Sequence, residues 1–283
     1  AARHSENTAV IGFDDGLWAT ATGIDPYRVT VVDPRTEQIA YVGVVREHGR
    51  PVLLAARLRV SAAGRVTEAE TVVARDVLSL QRLQTPRPPM VSDLPVAQRV
   101  PRAQMIAGVN AYFDGIVHSD GSKIPLDPDC NRLENGLKTT NNPDLGREMA
   151  RDRAKASGAS APTPLPKVVP AGDDAGAPPP AIPQDCRGQI SSGVFHFISR
   201  ISPRRGFVVD EQKGLVFGLF MFNHRGLHPI IHLKDGATMP DPFGGQPWSM
   251  QMAEFFKFRN GRIWQIEAVG TPLPYGAATG WEN

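Results

Sequence analysis

Four stretches of the chain carry side chains able to move protons. Glu134 sits beside Arg132, and the pair reads either as a structural ion pair or as two charges in a cleft that perturb each other's pKa. Glu254 shares a strand face with Met252, Phe256 and Phe258. A carboxylate on such a face costs several kcal/mol unless it is paired or solvated, so Glu254 is either an edge residue or a candidate base. His224 continues the face of Val216, Gly218, Phe220 and Phe222 at a strand end and is placed to project into a pocket mouth. Tyr112 lies at the edge of a helical apolar stripe, either as a core tyrosine or with its hydroxyl reaching a pocket. Together these residues suit general acid/base chemistry, in which burial raises the basicity of a carboxylate and a phenol or imidazole polarises a carbonyl. The expected catalytic set is Glu134, His224 and Glu254. Tyr112, Arg132, Phe220, Phe222, His228 and Trp281 are expected to bind substrate.

Other polar residues have plainer readings. Asp210 is echoed by Asp33, and both read as turn aspartates ahead of a strand. His196 falls opposite the apolar stripe of its segment and is expected at the surface or against the other half of the chain. His224, His228 and His232 lie within nine residues, but their spacing fits no strand or helix and no carboxylate is fixed beside them, so no metal is expected. There is no Gly-rich phosphate loop, nucleophile elbow or zinc spacing, and no cofactor is expected.

Composition narrows the classes further. The net charge is +2 over 283 residues, with no basic stripe interleaved with aromatics, so no nucleic acid is expected. No apolar run approaches the ~18 residues that span a bilayer, and no membrane is expected. The chain starts Ala1-Ala2-Arg3-His4-Ser5 without a signal peptide, as a processed chain would also do. Cys130 and Cys186 are too few for a four-thiolate zinc site. They read as one disulfide, which would favour a periplasmic or secreted protein, or as two unrelated thiols.

The elements that must hold these residues come in two similar runs. One goes from Val31-Val32-Asp33 to Gly64-Arg65-Val66-Thr67-Glu68-Ala69-Glu70. The other goes from Val208-Val209-Asp210 to Gly261-Arg262-Ile263-Trp264-Gln265-Ile266-Glu267. Ser5-Glu6-Asn7-Thr8 likewise resembles Leu133-Glu134-Asn135-Gly136. A repeat at this scale implies two copies of one domain rather than a solenoid. The first copy, 1–76, has strands at 27–32, 39–45, 52–60 and 66–73 and no long opening helix. A linker, 77–100, carries Thr85-Pro86-Arg87-Pro88-Pro89, which is read as neither helix nor inner strand. The second copy, 101–283, opens with a helix from Pro101 whose stripe is Met105, Ile106, Val109, Tyr112, Phe113 and Ile116. A second helix is expected over 187–200 after the N-cap Asp185, followed by strands at 215–223, 250–259 and 263–269. Residues 144–184 form a Pro/Ala-rich insertion with a short helix near 147–156, and 225–248 form a second insertion. Both faces of 215–223 are apolar, so the two copies are expected to pack sheet to sheet.

The segments Arg132-x-Glu134-Asn135-Gly136, Val208-Val209-Asp210 and Phe258-Arg259-Asn260-Gly261-Arg262-Ile263, with the tail Pro274-Tyr275-Gly276 and Gly280-Trp281, carry a family resemblance. In their helix–helix–strand setting they resemble the SnoaL-like, or nuclear-transport-factor-two-like, superfamily, which includes ketosteroid isomerase, scytalone dehydratase and limonene epoxide hydrolase. The resemblance covers residues 101 to 283 and, as a partial copy, 1–76. It implies an α+β fold of two tandem cone-shaped domains, each with a curved antiparallel sheet, and a pocket between sheet and helices in the second. The activity expected on this ground is a cofactor-independent lyase, hydratase or isomerase acting on a hydrophobic small molecule. The alternative is a non-catalytic binding or assembly module, and homo-oligomerisation stays open. The tail, with Tyr275 and Trp281, is expected to close the pocket mouth.

Overall fold

The computed structural model describes residues 2–77, 79–145, 147–148, 182–241 and 243–281. Most of the Pro/Ala-rich insertion, with the helix expected near 147–156, lies outside them. The first half of the chain runs β1 (Arg3–Glu6), β2 (Ala9–Val10), α1 (Gly16–Thr20), β3 (Ala21–Asp33), β4 (Gln38–Glu47), β5 (Arg50–Val60) and β6 (Val66–Ala74). The one-turn helix α2 (Pro88–Val91) and the longer α3 (Arg102–His118) lead to β7 (Leu126–Glu134) and β8 (Leu137–Lys138). There follow α4 (Cys186–Ser191), β9 (Arg200–Asp210), β10 (Leu215–His224), β11 (Ile230–His232), β12 (Thr238–Pro240), β13 (Trp248–Arg259) and β14 (Arg262–Leu273). The fold is α+β and dominated by two mixed six-stranded sheets, with β11 and β12 as a small separate hairpin.

The two large sheets share one strand order. The first is β2-β1-β6-β5-β4-β3, and the second is β8-β7-β14-β13-β10-β9. In each, the first strand runs parallel to the last one, β1 to β6 and β7 to β14, while every other pairing is antiparallel. An asparagine just past that first strand brackets the last strand in both. Asn7 Nδ2 donates to the Val73 carbonyl and Asn7 Oδ1 accepts from the Val73 N–H, at 3.1 and 2.7 Å. Asn135 does the same with Gly270, at 2.9 Å in both directions. Both asparagines take a left-handed backbone, φ 47° and 44°, which asparagine tolerates better than most residues. The asparagine shared by the two Glu-Asn pairs in the sequence therefore has a structural cause.

The sheets pack face to face. Tyr27, Val29, Val42, Leu53 and Val72 of the first sheet share a core with Val208, Phe217, Leu219, Phe255 and Val269 of the second. Buried polar contacts fix the crossing: the Tyr27 hydroxyl donates to Glu267 Oε2 at 2.5 Å, and Asp33 Oδ2 accepts from the Val209 N–H at 3.1 Å. Arg205 Nη1 donates to Glu70 at 2.8 Å. Asp33 is thus a turn residue that also bridges the sheets, while Asp210 accepts from the Lys213 N–H within its own turn. The other face of the second sheet packs on α3 through Met105, Val109, Phe113, Phe220, Phe256 and Phe258. Gly108 lets α3 approach closely, since a Cβ there would lie 2.8 Å from the Phe258 ring.

Several expectations need correction. The helix expected over 187–200 stops at Ser191. The Ser192 hydroxyl donates to the Gln189 carbonyl and accepts from the Val194 N–H, and Gly193 turns left-handed at φ 87°, so local bonds replace a further helical turn. Arg200, the last residue of the expected helix, instead begins β9. Pro88 and Pro89 begin a one-turn helix, because the first helical positions need no N–H donor. The stretch before β3 contributes β1 and β2, which join the first sheet, and α1, with Leu17 of α1 packed on Val45, Val52 and Val73.

Candidate functional site

A cavity of about 140 Å³ opens between the second sheet and the elements that cover it. It is reached by Tyr112 from α3, Arg132 and Glu134 from β7, Phe222 and His224 from β10, and Glu254 from β13. The period-two alternation of β13 places Glu254 on the face of Met252 and Phe256 that points at α3. Phe195, Phe197 and Ile198 form one wall from the turns after α4, and Phe243 and Trp248 form another. Six of the nine residues singled out in the sequence therefore meet at one place, while the volume is smaller than the several hundred Å³ of a typical small-molecule pocket.

The polar groups at its base are strongly coupled. Glu254 is buried at 3% exposure, and no hydrogen bond reaches its carboxylate among the described residues. Burial, reinforced by the Glu134 charge and opposed by Arg132, pushes its pKa up to about 8. Burial also pushes the Tyr112 hydroxyl well above its ordinary value, with Arg132 opposing and the two carboxylates adding to the rise. Burial works against the Arg132 charge, but Tyr112, Glu134 and Glu254 together hold its pKa above the ordinary arginine value. Arg132 forms an ion pair with Glu134, whose side chain lines the cavity and is 35% exposed. Arg132 Nη1 also donates to Gln189 Oε1 at 3.3 Å, and its guanidinium lies 4.8 Å from the centre of the Phe195 ring. The Cys130–Cys186 disulfide joins β7 to α4 two residues before Arg132 and three before Gln189, so it fixes these two partners relative to each other.

His224 is also buried, but both ring nitrogens are engaged. Nδ1 lies 2.8 Å from the Gln246 carbonyl, which can only accept, and Nε2 lies 2.6 Å from Asp241 Oδ2. The imidazole lines the cavity and is held by the loop after β10 rather than left free for proton transfer.

Three of the expected binding residues lie elsewhere. Phe220 is in the core, packed on Phe113 and Phe256, and does not line the cavity. His228 is exposed on the loop, as is His232, so the three histidines do not converge. Trp281 packs on the first sheet: its indole N–H donates to Ser5 Oγ at 2.8 Å, and Arg3 lies 4.4 Å from the ring centre. The tail follows β14 away from the cavity instead of closing it. Conversely, Phe195, Phe197, Phe243, Trp248 and Asp241 were not assigned from the sequence. Trp248 is the first residue of β13, the other four lie in irregular segments that offer no periodicity, and the aromatic content of 225–248 was the one available signal.

The family described as "Domain of unknown function (DUF8021)" matches residues 98–270, which contain every residue of the cavity. No curated protein matches the chain. Among solved structures, a de novo designed protein with a curved β-sheet is similar at 12% identity and a TM-score of 0.29, covering 61% of this chain and 88% of that one. AclR from Streptomyces galilaeus, named a "putative hydroxylase", is similar at 12% identity and a TM-score of 0.31, covering 60% and 91%. A "putative isomerase" from Bacillus subtilis is similar at 10% identity and a TM-score of 0.30, covering 60% and 87%.

Proposed function

The chain belongs to the DUF8021 family, and we propose that its family domain is a cofactor-independent lyase, hydratase or isomerase acting by proton transfer on a hydrophobic small molecule. One observation carries this reading: Glu254 is a buried carboxyl group with no internal hydrogen-bond partner among the described residues, facing a cavity that also holds Glu134, Arg132 and Tyr112. Titratable groups that environment pushes apart are the usual basis of acid and base roles. Glu254, neutral below about pH 8, donates a proton or hydrogen bond to the substrate oxygen that gains charge. Glu134, ion-paired and partly exposed, takes the proton from carbon. Tyr112 and Arg132 polarise the same oxygen. The aromatic walls supply the affinity for an apolar substrate.

Two wider readings go with this one. The common strand order and the matching asparagine brackets support two copies of one domain, 1–76 and 101–283, joined by 77–100, with the first copy abbreviated. The first copy has Ala56 where the second has Glu254, so the carboxylate on which this reading rests has no counterpart there. The disulfide supports export to an oxidising compartment.

Proton exchange at carbon can be tested on model compounds. The protein is incubated in heavy water with a panel of small alkyl and aryl ketones, and deuterium beside the carbonyl is followed by mass spectrometry. Incorporation by the wild type that falls at least ~100-fold in Glu254→Gln and in Glu134→Gln is the expected result. An unlabelled panel, or labelling unchanged in both variants, removes the assignment. It would leave a binding or assembly module, the reading that the small cavity volume favours.

A further inference from the structure

The first sheet turns from β4 to β5 through His48 and Gly49 alone, whereas the second spends residues 225–247 between β10 and β13. This long loop is tied down at one buried residue. Asp241 is 1% exposed, and four hydrogen bonds converge on it. Its Oδ2 meets His224 Nε2 at 2.6 Å, and its Oδ1 accepts from the Phe243 N–H at 2.7 Å. Its N–H donates to the Pro229 carbonyl at 2.8 Å, and its carbonyl accepts from the Gly244 N–H at 3.0 Å. His224, at the last position of β10, carries the hold across to the far limb by meeting the Gln246 carbonyl. The limbs touch where Gly226 faces the Gly245 carbonyl, which would lie 2.4 Å from any Cβ at 226. The tip of the loop is pinned separately, by the Lys234 N–H to the Ser192 carbonyl at 2.9 Å.

This bonding orients a wall of the cavity. Phe243 follows Asp241 by two residues, and its ring centre lies 3.9 Å from that of Trp248 and 5.5 Å from that of Phe197. All three rings line the cavity. A flexible loop would leave the Phe243 ring free to swing away from the other two. Instead, a desolvated carboxylate with every contact satisfied fixes the backbone immediately before Phe243.

We propose that Asp241, acting through His224, is the positioning residue for an aromatic wall made by Phe243 and Trp248, and that this wall limits the pocket to ligands of about one six-membered ring. The proposal rests on the reading of the cavity as a small-molecule site, but not on its being catalytic. His224 is then a support for the wall rather than a proton carrier. Shortening Phe243 enlarges the cavity without loosening the loop. Removing the Asp241 carboxylate loosens the loop and leaves His224 without its partner. Asn at 241 keeps an acceptor for the Phe243 N–H and can donate to His224 Nε2, so it preserves most of the hold.

The experiment compares two uncharged probes, phenol and 2-naphthol, by calorimetric titration against the wild type, Phe243→Ala, Asp241→Ala and Asp241→Asn. Amide hydrogen exchange over 225–247 is measured in parallel. The expected result is that 2-naphthol binds at least 10-fold more tightly to Phe243→Ala and Asp241→Ala than to the wild type, while Asp241→Asn stays within about threefold of it. Exchange over 225–247 should rise at least 10-fold in Asp241→Ala but not in Phe243→Ala, with β10 and β13 unchanged. Equal 2-naphthol affinity in the wild type and Phe243→Ala, or no binding to any variant, overturns the proposal. So does unaltered loop exchange in Asp241→Ala. If Asp241→Ala does not fold, Phe243→Ala still decides on size, and His224→Ala, which removes the side chain that Asp241 Oδ2 meets, decides on the loop: exchange over 225–247 should rise at least 10-fold, and unaltered exchange overturns the proposal. Neither readout involves turnover, so size-selective binding without deuterium labelling would retain the wall and discard the enzyme, and the converse would do the opposite.

Discussion

A neutral carboxyl group is an unusual component to place inside a folded protein, and Glu254 makes that choice measurable without a substrate. Its pKa of about 8 lies above the range of an unfolded glutamate, so the folded state holds a proton that the unfolded state has released. Between those two values stability falls as pH rises, by at most about 1.4 kcal/mol per pH unit from this group. Above about pH 8 both states are ionised and the effect levels off. Glu254→Gln fixes the neutral form and should flatten this slope. Calorimetric scans from pH 5 to 9 should give the variant a higher Tm than the wild type at pH 8 and a similar one at pH 5. Parallel curves for the two proteins would show that Glu254 is ionised in place. Glu254 was legible in the sequence because strand alternation alone put it among Met252, Phe256 and Phe258. The position of His224 was legible for the same reason, but its engagement was not. Asp241 sits in an Asp-Pro-Phe-Gly-Gly stretch that reads as a turn, and nothing local says that its carboxylate reaches back to the end of β10. Trp281 failed in the same way, since which sheet a tail lies against depends on long-range packing.

At the scale of elements, the cavity leans on a very short helix. Six residues cannot sustain a helix by themselves, so α4 depends on its attachments. These are the disulfide to β7, the Gln189 bridge between Arg132 and the Thr139 carbonyl, and the Asp185 cap on the Gly188 N–H. The double variant Cys130→Ser, Cys186→Ser should lose about 2–4 kcal/mol in denaturant unfolding. Its amide exchange should rise first in 186–199, the segment that carries Phe195 and Phe197. Uniformly raised exchange would mean that the bridge supports the whole fold rather than this wall. The long β-branched strands and α3 were readable because their periods run for many residues. β9 was not, because Pro203 and Gly206 look like turn residues. They are tolerated there since β9 is an edge strand with irregular pairing to β10. β7 hid behind Asp127, Pro128 and Asp129 for a related reason, as it pairs in parallel with β14 through a shifted register.

For the whole molecule, the repeat in the sequence pointed to two sheets packed face to face, and the core between them draws on both. Leu53 of the first sheet and Phe217 of the second lie in the same apolar cluster, each at most 2% exposed. Heating should therefore give one cooperative transition. Leu53→Ala and Phe217→Ala should each lower stability by about 2–5 kcal/mol without splitting that transition. Two resolved transitions, with Leu53→Ala moving only one, would mean that the sheets melt independently. Sheet pairs of this kind obey mass action when they belong to separate molecules, and they come apart once diluted below their dissociation constant. Here the partner face is carried on the same chain, so its local concentration is set by residues 77–100 and not by how much protein is present. The sheet bearing Glu254 keeps its backing at any dilution, and an assay run at picomolar protein would sample the same cavity as one run at micromolar.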